Sequence, residues 1–229
     1  MNYALTSISP RHAIGDAQIN AVQSWFDRGL KVLSFNAQSE IEELADKYPS
    51  VQFVRVDRNA SGIYKRPYVF ISSFIEYAEA NELEAVMIIN SDIVINGDVS
   101  QHFAACENGL VFANRCDHNG DFHNPTRYKH GFDVFFIHSK YYGVLHQSLF
   151  AMGQTWWDYW VPYRFVKMGL RIHLITDCLF LHARHAVQYD AKEWVRMTEH
   201  FQWIERYLPK GRPQDVNNRV FKEIMGKVG

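Results

Sequence analysis

AVMIINSDIVI, residues 85–95, is the most apolar strand segment in the chain, and its only polar interruption is Asn90-Ser91-Asp92. What lies upstream of it decides the kind of sheet it joins. YALTSI (3–8) reads as a short buried strand ending at Ser9-Pro10. Residues 13–28 carry Ile14, Ile19, Val22, Trp25 and Phe26 at helical spacing, and Gly29 closes that helix. LKVLSF (30–35) is a second strand, Ser39 opens an acidic helix that runs to Pro49, and VQFVRV (51–56) is a third strand. Asp57-Arg58-Asn59 and a Gly62 loop follow, and then a helix over 67–80 with Pro67 early in it. Four strands separated by three helices at short spacing predict a parallel, doubly wound α/β sheet of Rossmann type.

Downstream the pattern changes. GLVFAN (109–114) and FDVFFIH (132–138) are strands separated by the polar stretch RCDHNGDFHNPTRYKH (115–130). That stretch holds Asp117, His118, Asp121, His123 and His130, whose spacing matches no regular zinc motif; a mobile substrate loop is the better reading. A helix is expected over 139–152, then the tryptophan-rich TWWDYWVPYRFVKMG (155–169), then one or two strands in LRIHLITDCLFLH (170–182). Trp194, Met197, Phe201, Ile204 and Leu208 recur at steps of three and four, which marks one amphipathic helix.

The chain has 229 residues, enough for one large domain, with 24 basic against 25 acidic residues and a net charge of −1. With 47% hydrophobic and 21% charged residues it is of globular composition, which excludes disorder; near-neutrality excludes a nucleic acid bound by charge alone. No window approaches the roughly 18 apolar residues of a membrane helix, so no transmembrane segment is expected. The start MNYALTSISPRH does not read as a signal peptide. Cys106, Cys116 and Cys178 form no CxxC pair and read as buried free thiols in a reducing compartment, so a cytoplasmic location is expected. Aromatic residues make up 15%, which suits flat amphipathic ligands such as sugars and nucleobases, although most of these rings should be core.

Asn90-Ser91-Asp92 stands at the carboxyl end of its strand, where open α/β sheets bind ligands. A carboxylate there suits a hard cation, Mn²⁺ or Mg²⁺, that shares its coordination with diphosphate oxygens. Read alone, the tripeptide also suits a turn that ends a strand. With the order of elements and the stretch QINAVQSWFDRGLKVLSFN (18–36), the chain resembles the GT-A fold nucleotide-sugar glycosyltransferases, of the family 2 kind, over approximately residues 3–190. The resemblance implies a single GT-A-like (Rossmann-like) domain over 1–229 with a mostly parallel central sheet flanked by helices. Residues 1–100 would be its nucleotide-binding half, 101–190 its acceptor-side half and 191–229 C-terminal helices.

The resemblance also implies a site. Asn90-Ser91-Asp92 falls at the DXD motif, with Asp92 toward the metal and Asn90 or Ser91 toward sugar or ribose; the departure is Asn90 in place of the first aspartate. Thr6 and Ser7 would cradle the nucleotide, Asn36 would face the base, Asp57 the ribose, and Lys65 or Arg66 the diphosphate. Asp158, in the aromatic segment, would be the base that deprotonates an acceptor hydroxyl in an inverting transfer, with Trp156 and Trp157 stacking on the acceptor; Asp133 is the rival carboxylate. His185, or His182, would be a further metal ligand, and Arg184 would meet phosphate. The implied partners are a nucleoside-diphosphate sugar and a glycan or other hydroxyl acceptor. Oligomeric state is left open. Two alternatives stay beside this reading. A sugar-phosphate nucleotidyltransferase would need a glycine-rich loop after the first strand, where SISPRHAIGD (7–16) has one glycine. A non-catalytic sugar- or nucleotide-binding domain of the same fold would accommodate Asn90 without difficulty.

Overall fold

The computed structural model describes residues 1–12, 16–120, 122–146, 149–184, 191–205, 208 and 210–229. The first half runs β1 (Tyr3–Thr6), α1 (Ala17–Phe26), β2 (Lys31–Asn36), α2 (Gln38–Leu44), β3 (Gln52–Arg55), α3 (Ser61–Tyr64), α4 (Ile71–Ala80), β4 (Ala85–Ile89), β5 (Ile93–Ile95) and α5 (Ser100–Ala105). The second runs β6 (Leu110–Ala113), β7 (Cys116–His118), β8 (Thr126–Arg127), β9 (Val134–His138), α6 (Trp157–Lys167), β10 (Ile172–Ile175), β11 (Phe180–Ala183), α7 (Ala191–Ile204) and α8 (Pro213–Met225).

Seven strands form the main sheet in the order β10-β6-β9-β4-β1-β2-β3. Every pairing is parallel except the two made by β9, so six strands share one direction and β9 runs against them. This is the expected α/β architecture with a mostly parallel central sheet. The apolar run of β4 follows from its place in the middle. Val86 and Ile88 pack into the layer that holds Phe74 and Ile75 of α4, while Met87 and Ile89 face the other layer with Val22 and Trp25 of α1. A strand covered on both faces has no position left for a polar residue.

The run does not continue as one strand. Asn90-Ser91-Asp92 breaks it, and β5 joins a second sheet of order β5-β11-β7-β8. Each of β5, β7 and β11 continues the chain just beyond the carboxyl end of a main-sheet strand, β4, β6 and β10 respectively. The second sheet therefore roofs the carboxyl edge of the first. The Trp25 indole N–H fastens α1 to this roof by donating to the Ile93 carbonyl at 2.8 Å.

Several expectations are corrected. Cys116 and Cys178 form a disulfide, with Cα atoms 5.6 Å apart; only Cys106 is free, and it is buried. The reading of all three as free thiols fails because the pair meets only through folding, across 62 residues of chain. The reducing compartment inferred from free thiols loses its basis, since disulfides persist mainly in oxidising surroundings. The polar stretch 115–130 supplies β7 and β8 of the roof instead of one long loop. Residues Ser139–Leu145 form 3₁₀ turns where a helix over 139–152 was expected; Gly143 lies within them, and the His138 ring accepts from the Lys140 N–H at their start. The helix expected from Pro67 begins only at Ile71, and Leu208 lies beyond the end of α7. Among the described residues no helix is long and apolar enough to cross a membrane.

Candidate active site

The roof and the main sheet enclose a chain of polar side chains at the carboxyl edge. Asp92 Oδ2 lies 3.1 Å from His12 Nε2, on the segment after β1, and 3.3 Å from His182 Nε2 on β11. The other nitrogen of His182 meets Asp117 Oδ1, on β7, at 3.0 Å. Arg115 donates to Asp117 at 2.9 Å and to Asp133 Oδ1 at 3.2 Å, and its guanidinium lies over the Tyr128 ring, 4.4 Å from the centroid. Burial works against the guanidinium charge, but Asp133 and Asp117 outweigh it and hold the proton more tightly than usual. The Asn90 amide closes the series by donating to Asp133 Oδ1 at 2.8 Å.

Because β9 runs antiparallel, its entry residue Asp133 reaches the same edge as the carboxyl ends of β4 and β6; the Asn90 N–H donates to the Asp133 carbonyl. Beside it opens a cleft of about 540 Å³, walled by Asp133, Tyr128 and Phe132 on one side and by Gln154 to Tyr159 with Trp194, Gln214 and Asn217 on the other. Asp158, in the first turn of α6, accepts from the Phe132 N–H at 3.3 Å. Burial first, and the Asp133 charge second, push its carboxyl up to about 7. The residue before that turn, Trp156, has φ 78°, a left-handed conformation that costs a bulky residue about 1–2 kcal/mol. The core over-determines it: Trp156 is 2% exposed and its indole donates to Thr198 Oγ1 at 3.0 Å.

Four polar atoms of residues that line the cleft are buried with no hydrogen-bond partner: Asp133 Oδ2, both amide atoms of Gln154, and Thr155 Oγ1. A buried polar atom left unpaired costs about 1–3 kcal/mol. Four such atoms on the residues of one cleft suit a hydrogen-bonding ligand.

The residues expected at the site do not all come together. Asn90, Ser91, Asp92, His182 and Asp158 gather at the carboxyl edge. Ser91 is locked in place, its hydroxyl donating to the Gln18 amide oxygen at 2.5 Å while Gln18 also pairs with both backbone groups of Ser9. Thr6 ends β1 fully buried, with Oγ1 unpartnered, and Ser7 follows it. Asn36 is corrected: it is fully buried, accepts from Ser34 Oγ and donates to Ile8 O and Glu40, so a local network uses the amide that was expected to face a base. Asp57 stands exposed and paired with Arg55. Arg66 donates to the Tyr68 hydroxyl, and the Tyr68 ring packs on Gly153 at the cleft rim. Trp156 and Trp157 line the cleft but are 2% and 3% exposed, wall and core instead of open stacking faces. His185 lies outside the described residues, as does Asp121.

His12, Gln18, Arg115, Gln154 and Thr155 were not singled out from the sequence. The available signal was position: His12 and Gln18 follow β1, Arg115 follows β6, and Gln154-Thr155 precede α6. Among the described residues no group of three or more His, Cys, Asp or Glu side chains is arranged to hold a metal ion.

Gly131 offers a check on this geometry. It has φ +89°, and an added Cβ would lie 2.8 Å from Asp158 Oδ2, whereas Gly29, at φ +70°, has open space around it. Gly131→Ala is therefore expected to lower the unfolding midpoint by clearly more than Gly29→Ala, which carries the backbone strain alone. Equal midpoint shifts in thermal unfolding would refute the placement of Asp158 against Gly131.

No family model matches this chain, and no curated protein matches it. Among solved structures, one described as a glucose-1-phosphate thymidylyltransferase from Bacillus anthracis in complex with sucrose aligns with 93% of this chain and 98% of its own, at 10% identity and a TM-score of 0.47. Function has to come from the site itself.

Proposed function

We propose that this protein is a transferase that moves a sugar from a nucleoside-diphosphate sugar to an acceptor hydroxyl, with Asp158 as general base. The observation that carries the reading is the Asp158 carboxyl, pushed up to about 7 in a cleft lined with unpartnered hydrogen-bonding groups. A base with that affinity for protons is half available at neutral pH and strong enough to assist a hydroxyl. Asp158 accepts the acceptor proton while the acceptor oxygen bonds to the anomeric carbon. The bond from that carbon to the diphosphate breaks, and the nucleoside diphosphate leaves from the opposite face with inversion. Asn90, Ser91 and Asp92 stand at the same sheet edge, where the donor would lie, with Thr6 and Ser7 at the carboxyl end of the neighbouring β1.

A divalent cation, Mn²⁺ or Mg²⁺, belongs to this reading. Asp92 and His182 bring a carboxylate oxygen and an imidazole nitrogen within 3.3 Å, two donors of suitable type, and diphosphate oxygens would complete the set. When bound, the ion would neutralise charge on the leaving diphosphate. The rival reaction, nucleotidyl transfer from a nucleoside triphosphate to a sugar 1-phosphate, uses the phosphate itself as nucleophile and leaves the elevated Asp158 without a role.

The test is a thermal-shift screen of nucleotide sugars, nucleoside triphosphates and sugar 1-phosphates with and without Mn²⁺, followed by product analysis. A donor at about 100 times its Kd adds about 2.7 kcal/mol. At about 2–4 °C per kcal/mol for a domain of this size, the midpoint rises by about 5–10 °C. A shift with one nucleotide sugar and release of its diphosphate supports glycosyl transfer. Pyrophosphate released from a triphosphate and a sugar 1-phosphate would replace it with the rival, and no nucleotide shift at all would leave a sugar-binding domain.

A further inference from the structure

The acceptor side of the cleft carries enough chemistry to say what kind of molecule fills it. Its unpartnered atoms are one carboxylate oxygen (Asp133 Oδ2), one amide offering both a donor and an acceptor (Gln154), and one hydroxyl (Thr155). Asp133 is 5% exposed and Gln154 7%, so solvent does not readily supply the missing partners. Gln214 and Asn217 of α8 add two more neutral amides to the lining. A ligand matching this set must present several groups that both donate and accept.

The charges narrow the class. Asp133 and Asp158 face the cleft together, and the lining guanidinium, Arg115, is already bound to Asp133 and Asp117. Asp133 raises the proton affinity of Asp158, so the two carboxylates share one field. An anionic ligand would meet Asp158 in its ionised fraction beside the Asp133–Arg115–Asp117 group, in which two carboxylates share one guanidinium, and would be repelled. Of the aromatic residues in the lining, Phe132, Trp156, Trp157 and Tyr159 are buried as wall, and Tyr128 and Trp194 are the partly exposed rings. Rings beside amides fit a ligand with apolar C–H faces and a polar edge of hydroxyls.

We infer that this cleft is a subsite for an uncharged, hydroxyl-rich sugar ring, and that Asp133 and Gln154 are its specificity-determining residues. The inference rests on the proposed transfer only for the word acceptor; binding of the ring stands on the cleft alone. Asp133 Oδ1 is pinned by Asn90 and Arg115, which leaves Oδ2 to accept from a ring hydroxyl. Gln154 then donates to and accepts from neighbouring hydroxyls, and Thr155 takes another. The ring is thereby oriented with one hydroxyl toward Asp158.

The test measures binding to the full chain by saturation-transfer NMR and calorimetry, without nucleotide. The probes are neutral methyl glycosides, each set against the uronic acid that differs from it by one carboxylate. At least one neutral glycoside is expected to bind saturably, at least tenfold more tightly than its uronate, and Gln154→Leu is expected to weaken it by about tenfold while the unfolding midpoint stays the same or rises, since the variant removes two unpaired buried atoms. Uronates binding as well as their neutral partners would overturn the proposal, as would no saturable binding of any neutral glycoside at millimolar concentration. If Gln154→Leu fails to fold, the matched pairs on the native protein decide alone. Neutral sugars that bind while no nucleotide sugar is turned over would sink the proposed transfer and keep the subsite. Transfer to an anionic or non-sugar acceptor would do the reverse.

Discussion

Asp158→Asn is expected to lower turnover by about 10²–10⁴-fold, the range that a positioned general base contributes. The amide oxygen of Asn can still accept from the Phe132 N–H, so the contact seen at 3.3 Å survives and only the basicity is lost. The pH profile supplies a second, independent signature. The base works as the carboxylate, and with its proton affinity raised to about 7 it is increasingly protonated below neutrality. Activity of the native protein should therefore rise about tenfold per pH unit up to about 7 and then level off, while the residual activity of the variant should lack that limb. Stability moves the other way. A carboxyl whose affinity for protons is raised on folding contributes most when protonated in both states, and that contribution is lost as pH rises from about 4, its unfolded value, through about 7. An uncharged Asn has no such loss, so the midpoint of the variant relative to the native protein should climb over that window. A variant that keeps native turnover and the same pH limb would remove Asp158 from the chemistry.

How far the site could be read from the sequence follows from which interactions are local. The run at 85–89 announces a strand covered on both faces because each of its residues is apolar, and the layers on either side of β4 bear that out. The polar tripeptide Asn90-Ser91-Asp92 was visible in it, but 85–95 read as one strand segment, and the split into β4 and β5 in separate sheets was not legible. Asp158 stood out as a carboxylate among tryptophans, and it does line the cleft. Asn36 shows the opposite case: its place at the end of β2 suggested a ligand contact, while Ser34, two residues earlier, and Ile8, on another segment, consume the amide. His12 with Asp92, Gln18 with Ser91, and Arg115 with Asp133 are pairs that only the tertiary fold creates. No periodicity reports them. The antiparallel insertion of β9 is equally silent, since GFDVFFIH reads as a strand in either direction; yet that reversal brings Asp133 to the carboxyl edge.

Opening the Cys116–Cys178 disulfide should have the largest effect on stability of any change outside the main-sheet core. The bridge closes a loop across 62 residues, and the chain-entropy estimate for such a loop is about 4 kcal/mol. For a domain of this size that corresponds to a fall of about 8–16 °C in the unfolding midpoint, read by thermal denaturation of Cys116→Ala/Cys178→Ala against the native protein. Alanine suits the buried Cys116 site, because serine would leave a hydroxyl without a partner. A second effect should accompany the first. Cys116 opens β7, one residue before Asp117, and Cys178 stands four residues before His182 on β11, so the bridge ties together the two strands whose side chains meet at 3.0 Å. Loosening it should blur the Asp117–His182–Asp92 alignment and weaken donor binding at temperatures where the fold is still intact. Midpoints that coincide with and without a thiol reductant, together with two alkylatable thiols at 116 and 178 in the native protein, would show that the bridge does not form. A lower midpoint with unchanged donor affinity would confine its role to stability and release the roof strands from any part in placing Asp92.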